Sequence, residues 1–294
     1  MEQQVKDDIQ RVFQLQKKQQ KALRASTAEQ RREKLQRFLD SVIAHEEEII
    51  EAIRKDVRKP YHEVKKAEIE GTKKAIRDNM NNLEQWMAPK EVGSSLSPDA
   101  NGILMYEPKD VTLILDPWNY PFMLTMAPLA ASLATGNSAI VKLSDFTMNT
   151  SNIAAKVIRD AFDEKEVAIF EGEVEVATEL LDQPFDHIFF TGSTNVGKIV
   201  MTAYAKHLAS VTLELGGKSP TIIDSEYDLM DAAKKIAVGK FVNAGTKPAS
   251  HLITCSLKKT FRTSSRGFYK QSSTLDLWRM IIPQTAKEIY ADRQ

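Results

Sequence analysis

Four short segments carry the residue types that chemistry needs. The first is Val211-Thr212-Leu213-Glu214-Leu215-Gly216-Gly217-Lys218-Ser219-Pro220. A carboxylate that ends an apolar run and precedes two glycines is a candidate general base, provided partial burial raises its pKa. A solvated strand end is the plain alternative. The second is Phe190-Thr191-Gly192-Ser193-Thr194-Asn195-Val196-Gly197-Lys198. It reads as a strand that opens into a helix, where free N–H groups attract phosphate. It is not the G-x-G-x-x-G fingerprint, and an ordinary turn capped by Ser193 or Thr194 has the same look. The third, Pro117-Trp118-Asn119-Tyr120-Pro121-Phe122, follows an apolar strand. Ligands sit at strand ends in open parallel sheets, and the Asn119 amide is a donor suited to an oxyanion. A turn role for Asn119 competes with this. The fourth, Ala139-Ile140-Val141-Lys142-Leu143-Ser144-Asp145, puts Lys142 and Asp145 where a nucleotide ribose is held in dinucleotide folds. A surface Lys/Asp pair is its plain alternative.

The elements that must position these residues can be read from periodicity. Up to about residue 90 the chain reads as long helices. Leu35, Phe38, Leu39, Val42 and Ile43 recur at three- and four-residue steps, and Ile49, Ile50 and Ile53 continue the stripe. Pro60 ends this helix and a second runs over 62–86. Gly and Pro then punctuate a loop region. Beyond it, strand candidates at 111–115, 139–141, 167–170, 187–190, 211–213 and 221–223 alternate with helices at 123–134, 152–162, 174–181, 196–207 and 229–242. That alternation means βαβ units and a parallel sheet. After Gly245 no period holds, Ser and Thr are frequent, and basic residues outnumber acidic ones.

Composition narrows the class. The chain has 294 residues, 42% of them hydrophobic, with 40 basic and 40 acidic residues and one cysteine. A net charge of zero argues against a nucleic-acid partner. One cysteine cannot make an internal disulfide or a cysteine-based metal cluster, so no metal is expected. No stretch approaches the roughly 20 apolar residues that span a bilayer. The first ten residues, MEQQVKDDIQ, lack the apolar core of a secretory signal. A cytoplasmic α/β protein is expected.

Taken together, the four segments resemble the aldehyde dehydrogenase superfamily, in its class 3-like, fatty- or coniferyl-aldehyde type. Glu107-Pro108, the 117–122, 136–144, 190–198 and 213–220 segments, and 241–245 carry the likeness, in the family's order. Arg31, Leu35 and Asp56-Val57-Arg58-Lys59-Pro60 extend it into the N-terminal helices. The resemblance implies N-terminal helices (1–90) and a Rossmann-like doubly wound domain (91–212) that binds NAD or NADP. It implies only the start of a catalytic α/β domain (213–245), and a non-family tail (246–294). It also implies a small aldehyde as substrate, and homodimers are usual in the family. By the same resemblance Glu214 is the base that activates water, and Asn119 holds the oxyanion. Trp118, Lys142, Ser144 and Asp145 lie at the cofactor, with Gly192, Ser193, Thr194, Asn195, Val196 and Gly197 beside the pyrophosphate. Asp145 stands where Glu is usual, which leaves the choice between NAD and NADP open. In such enzymes a cysteine thiolate attacks the aldehyde, hydride leaves for the nicotinamide, and water then releases the acid.

One part of that pattern is absent. The family continues from Asn243-Ala244-Gly245 as Gln-x-Cys, whereas this chain reads Thr246-Lys247-Pro248. Pro248 has no nucleophilic group, and Cys255 is read as an incidental thiol. Codons for residues 246–254, read from the third base of the Thr246 codon, permit Gln-Thr-Cys-Ile-Ala-Pro-Asp-Tyr. A frame-shifted tail is therefore expected, and with it a chain that does not turn over aldehydes.

Overall fold

The structure, a computed structural model, describes residues 3–93, 101–224, 226–246 and 253–256. The chain divides into two compact units, Met1–Leu215 and a second from Gly216 onward.

The first unit begins with α1 (Gln3–Arg24), α2 (Ala28–Ala44), α3 (Glu46–Val57), α4 (Tyr61–Glu63) and α5 (Glu70–Met87). The stripe over 35–53 is not one helix: it breaks at His45, whose φ of −106° and ψ of 13° leave the helical region. A capping box between Thr27 and Gln30 fixes the start of α2. Arg58, with φ 54°, turns the chain out of α3 ahead of Pro60. The helix expected over 62–86 contains a π-helical segment, Val64–Ile69, between α4 and α5. These helices carry many exposed ion pairs, each worth about 0–1 kcal/mol. Fully buried Leu35, Phe38, Ile49 and Ile53 are worth about 2 kcal/mol apiece, so the apolar stripe holds the layer together.

A short antiparallel hairpin follows, β1 (Lys90–Gly93) with β2 (Asn101–Leu104). Next come β3 (Val111–Leu115), α6 (Met123–Ala134), β4 (Ser138–Lys142), α7 (Met148–Ala161), β5 (Val167–Phe170), α8 (Val174–Asp182), β6 (His187–Gly192), α9 (Thr194–Ala205) and β7 (Ser210–Leu215). The five strands β3–β7 form one sheet in the order β5-β4-β3-β6-β7, every neighbouring pair parallel. All five residues of β3 are buried, as expected of a strand covered on both faces. Val111, Leu113 and Leu115 pack with Ile9 and Phe13 of α1, Leu180 of α8 and Val200 of α9. Ile114 packs on the opposite face with Phe38, Met126 and Ile158. That is the period-two alternation of a strand.

Polar contacts fix α1 to the sheet. Gln16 is fully buried and its Nε2 donates to the carbonyls of Ala139 (3.0 Å) and Glu164 (2.9 Å). Arg24 grips Asp110 with two bonds of 2.7 and 2.5 Å.

In the second unit β8 (Pro220–Ile223) pairs in parallel with β9 (Ile253–Ser256), and α10 (Leu229–Phe241) lies between them in sequence. Asp228 caps α10 by accepting from Met230 and Asp231 N–H. Among the described residues, the tail expected to be irregular after Gly245 holds the strand β9, in which Cys255 pairs with Ile222. Pro248 lies outside the described residues. Among the described residues no helix is long and apolar enough to cross a membrane, and no group of three or more His, Cys, Asp or Glu could hold a metal.

Candidate active site

The candidate residues of the first unit gather at one end of the sheet. Lys142 ends β4, Trp118 and Asn119 follow β3, Gly192 ends β6 with Ser193 after it, and Glu214 stands near the end of β7. These are the carboxyl ends of four consecutive neighbours in the strand order. The chain leaves β3 toward β4 and β5, then returns to β6 on the other side of β3. The crevice between β3 and β6 is thus a topological switch point, the place where such sheets bind ligands.

The turn after β6 opens α9. Ser193 is its N-cap, with Oγ accepting the Val196 N–H at 3.3 Å. The cap reading and the anion reading are compatible, because one capped N–H leaves the others of the first turn outward. Thr194, Asn195 and Val196 are exposed, and the first turn holds no acidic residue. Gly197 is buried against β7: a Cβ there would stand 2.8 Å from Leu215 Cδ2. Helix and strand approach closely because this residue is glycine.

At the end of β4, Lys142 is 8% exposed and its Nζ lies 3.7 Å from Asp145 Oδ1. Ser144 is buried too. Its Oγ accepts from Phe146 N–H (3.3 Å) and its carbonyl accepts from Ser151 Oγ (2.7 Å), so its polar groups shape the turn. Trp118 is exposed and lines a cavity of about 480 Å³ with Asp56, Val57, Phe146 and Thr147. That cavity touches none of Gly192 to Gly197, so it is not the phosphate loop.

Glu214 departs from expectation. It pairs with Thr191 across β6 and β7 but is exposed. The partial burial that would make it a stronger base is not provided by the first unit, where β7 is an edge strand and Glu214 is exposed at its end.

Three further residues were given no site role by sequence reasoning. Asp116 sits directly between β3 and Pro117, with both carboxylate oxygens buried and without hydrogen-bond partners among the described residues. Burial pushes its carboxyl well above the usual range. Glu68 and Lys59 form a buried ion pair under the Asn119 loop. The only sequence signal was the position of Asp116 at an apolar strand end. Nothing local marks Glu68, which lies in a charged helical stretch.

The aldehyde dehydrogenase family model matches residues 1–254, which includes the strand end, the loops and the start of the second unit. The chain belongs to the aldehyde dehydrogenase family. Among its relatives is AldX of Bacillus subtilis (strain 168), a candidate aldehyde dehydrogenase by its name, 98% identical over 245 residues; that match covers 83% of this chain and 55% of AldX. Aldehyde dehydrogenase family 3 member A2 of Pongo abelii is 41% identical over 216 residues, covering 73% of this chain and 44% of that one. The solved Staphylococcus aureus AldH, in a substrate-bound state, superposes with a TM-score of 0.85 at 32% identity, over 96% of this chain and 59% of that chain. The chain thus spans about half the length of the curated relatives it matches, and its likeness is to class 3-type members.

Proposed function

We propose that the first unit binds the nucleotide of NAD or NADP in the crevice outside β3 and β6, as one half of an aldehyde-oxidising site. The observation that carries this is the convergence at one sheet end of a cation (Lys142), an uncrowded helix N-terminus without acidic residues (α9) and a close-packing glycine (Gly197). These features fit a phosphorylated ligand: the α9 N–H groups face anionic oxygens, and Lys142 with Asp145 meets ribose hydroxyls. Bound nicotinamide would supply the hydride acceptor. Asn119 would donate its amide to the oxygen of the aldehyde as charge develops there. Glu214 would take the proton of the attacking water.

The nucleophile belongs to the same proposal. Pro248 stands where the family pattern places cysteine, so this chain is expected to bind nucleotide and not to oxidise aldehydes. The test is a titration of the purified chain with NAD, NADP and their reduced forms, followed by tryptophan fluorescence. Saturable quenching is expected, weakened about fivefold or more by Lys142→Ala, the loss of one charge-assisted bond. The relative affinities also decide between the two nucleotides, where Asp145 would accept from a free ribose 2′-hydroxyl but repel a 2′-phosphate. No saturation by any of the four refutes the nucleotide site. Production of reduced nicotinamide from an aliphatic or aromatic aldehyde refutes the inactivity.

A further inference from the structure

Glu68 is fully buried within the π-helical segment Val64–Ile69. Its Oε1 takes the ammonium of Lys59, which is 2% exposed. Its Oε2 accepts two backbone N–H groups, from Phe122 at 3.3 Å and Met123 at 2.9 Å. Those groups belong to the start of α6, whose own N-cap residue offers no side-chain acceptor. Phe122 has no side-chain oxygen to give, so the cap comes from another helix. Lys59 meanwhile holds its Nζ 4.3 Å from the ring centroid of Tyr120. One buried pair therefore grips the loop at Tyr120 and again at Phe122-Met123.

Such a pair contributes little net stability, because desolvation offsets the attraction of its charges. The π segment gives up regular helical bonding, and such segments recur at functional sites. Both costs fall at one place, and what they produce is a fixed loop. We propose that Glu68, with Lys59 as counter-charge, is a positioning residue that holds Trp118 and Asn119 at the end of β3 through the first turn of α6. This rests on the reading of those two residues as part of the nucleotide and oxyanion site.

The chain has three tryptophans, so Trp86→Phe with Trp278→Phe leaves Trp118 as the sole reporter. Time-resolved anisotropy of Trp118 and urea unfolding by circular dichroism are compared for this parent, K59M/E68M and K59M/E68Q. The urea midpoint of K59M/E68M is expected at or above the parent's, since apolar side chains replace buried charges. Its fast depolarisation amplitude is expected to rise about twofold. K59M/E68Q keeps an oxygen that accepts from Phe122 and Met123, and should return the amplitude to the parent value. An unchanged amplitude in K59M/E68M overturns the proposal, and so does a rise that E68Q fails to reverse. Should K59M/E68M not fold, amide exchange of the unmodified chain decides. Phe122 and Met123 N–H are expected to be protected about tenfold over Glu175 N–H, in the first turn of the uncapped α8. Equal protection overturns the proposal. Anisotropy is read without nucleotide, so failure here and failure of the nucleotide site are separate results.

Discussion

Replacing Gly136 by alanine tests how α6 is joined to β4. Gly136 has φ +84° and closes a Schellman turn: its N–H reaches the Leu133 carbonyl (3.0 Å) and the Asn137 N–H reaches that of Ser132 (3.1 Å). An L-residue there costs about 1–2 kcal/mol in backbone strain. The new methyl would also stand 2.6 Å from Arg31 Nη2 and 2.7 Å from its Cζ. Arg31 is 6% exposed and bonded to the Ala134 carbonyl (3.1 Å) and Ser26 Oγ (2.9 Å). Moving the guanidinium forfeits at least one charge-assisted bond, about 1.5–3 kcal/mol. The sum is about 2.5–5 kcal/mol, large against a typical stability of about 5–15 kcal/mol. Urea unfolding of wild type, G136A, R31A and R31A/G136A measures it. With Arg31 gone the clash vanishes, so G136A should then cost only the backbone share, a coupling of about 2 kcal/mol. A G136A loss under about 1 kcal/mol, or plain additivity of the two changes, refutes the reasoning.

Asp56→Ala removes the acceptor for Asn149 N–H (3.3 Å) and Thr150 N–H (2.7 Å) at the start of α7 and should cost about 1–2 kcal/mol, less for Asp56→Asn; equal costs would count against a remote cap. His45 bridges Glu48 (2.9 Å) and Asp160 (2.8 Å), and these partners raise its pKa. Its folded value lies above the unfolded one near 6.5, so its stabilisation is full below that pH and fades as pH rises through the folded value. The gap in urea midpoint between wild type and His45→Gln should therefore shrink from pH 6 to pH 8.5, and a constant gap refutes it. Half-buried His187, lowered by burial, works oppositely: the unfolded chain takes up its proton first as pH falls. Asp116→Asn should raise the midpoint at neutral pH, because burial raises the carboxyl's folded pKa and stability is lost as pH climbs through the window above its unfolded value. A lower midpoint across pH 4–7 would show that the charged form is held.

The sheet was legible because each β-branched run is bounded by turn residues, and its central strands β3 and β4 are buried throughout. The run at 167–170 matches β5 residue for residue, and that at 111–115 matches β3. Where legibility failed, a long-range contact had replaced a local signal. Helix α7 begins at Met148 and not at 152, because Asp56 supplies a cap that residues 144–149 do not advertise. The break at His45 hides within an unbroken apolar stripe. The strand-end residues were found because sheet order, not sequence distance, gathers them. Their electrostatics were not, since whether Glu214 is covered and Asp116 sealed depends on packing from other elements.

The π segment Val64–Ile69 has a genetic side. A π turn is a helix that carries one surplus residue. Deleting a single codon there, at Lys65 for instance, would remove the surplus and let the helix relax to regular winding, with the parts on either side keeping their relative orientation. Lys59 and the Asp56 cap lie on one side of that joint, and Ile76 and Leu83 on the other. A one-residue deletion in this stretch should therefore leave those two faces in place, where the same deletion in a regular helix would turn one away from the core. Regular helices elsewhere in the chain, such as α1, have no such joint, and a deletion there would rotate one part against the other by roughly 100°.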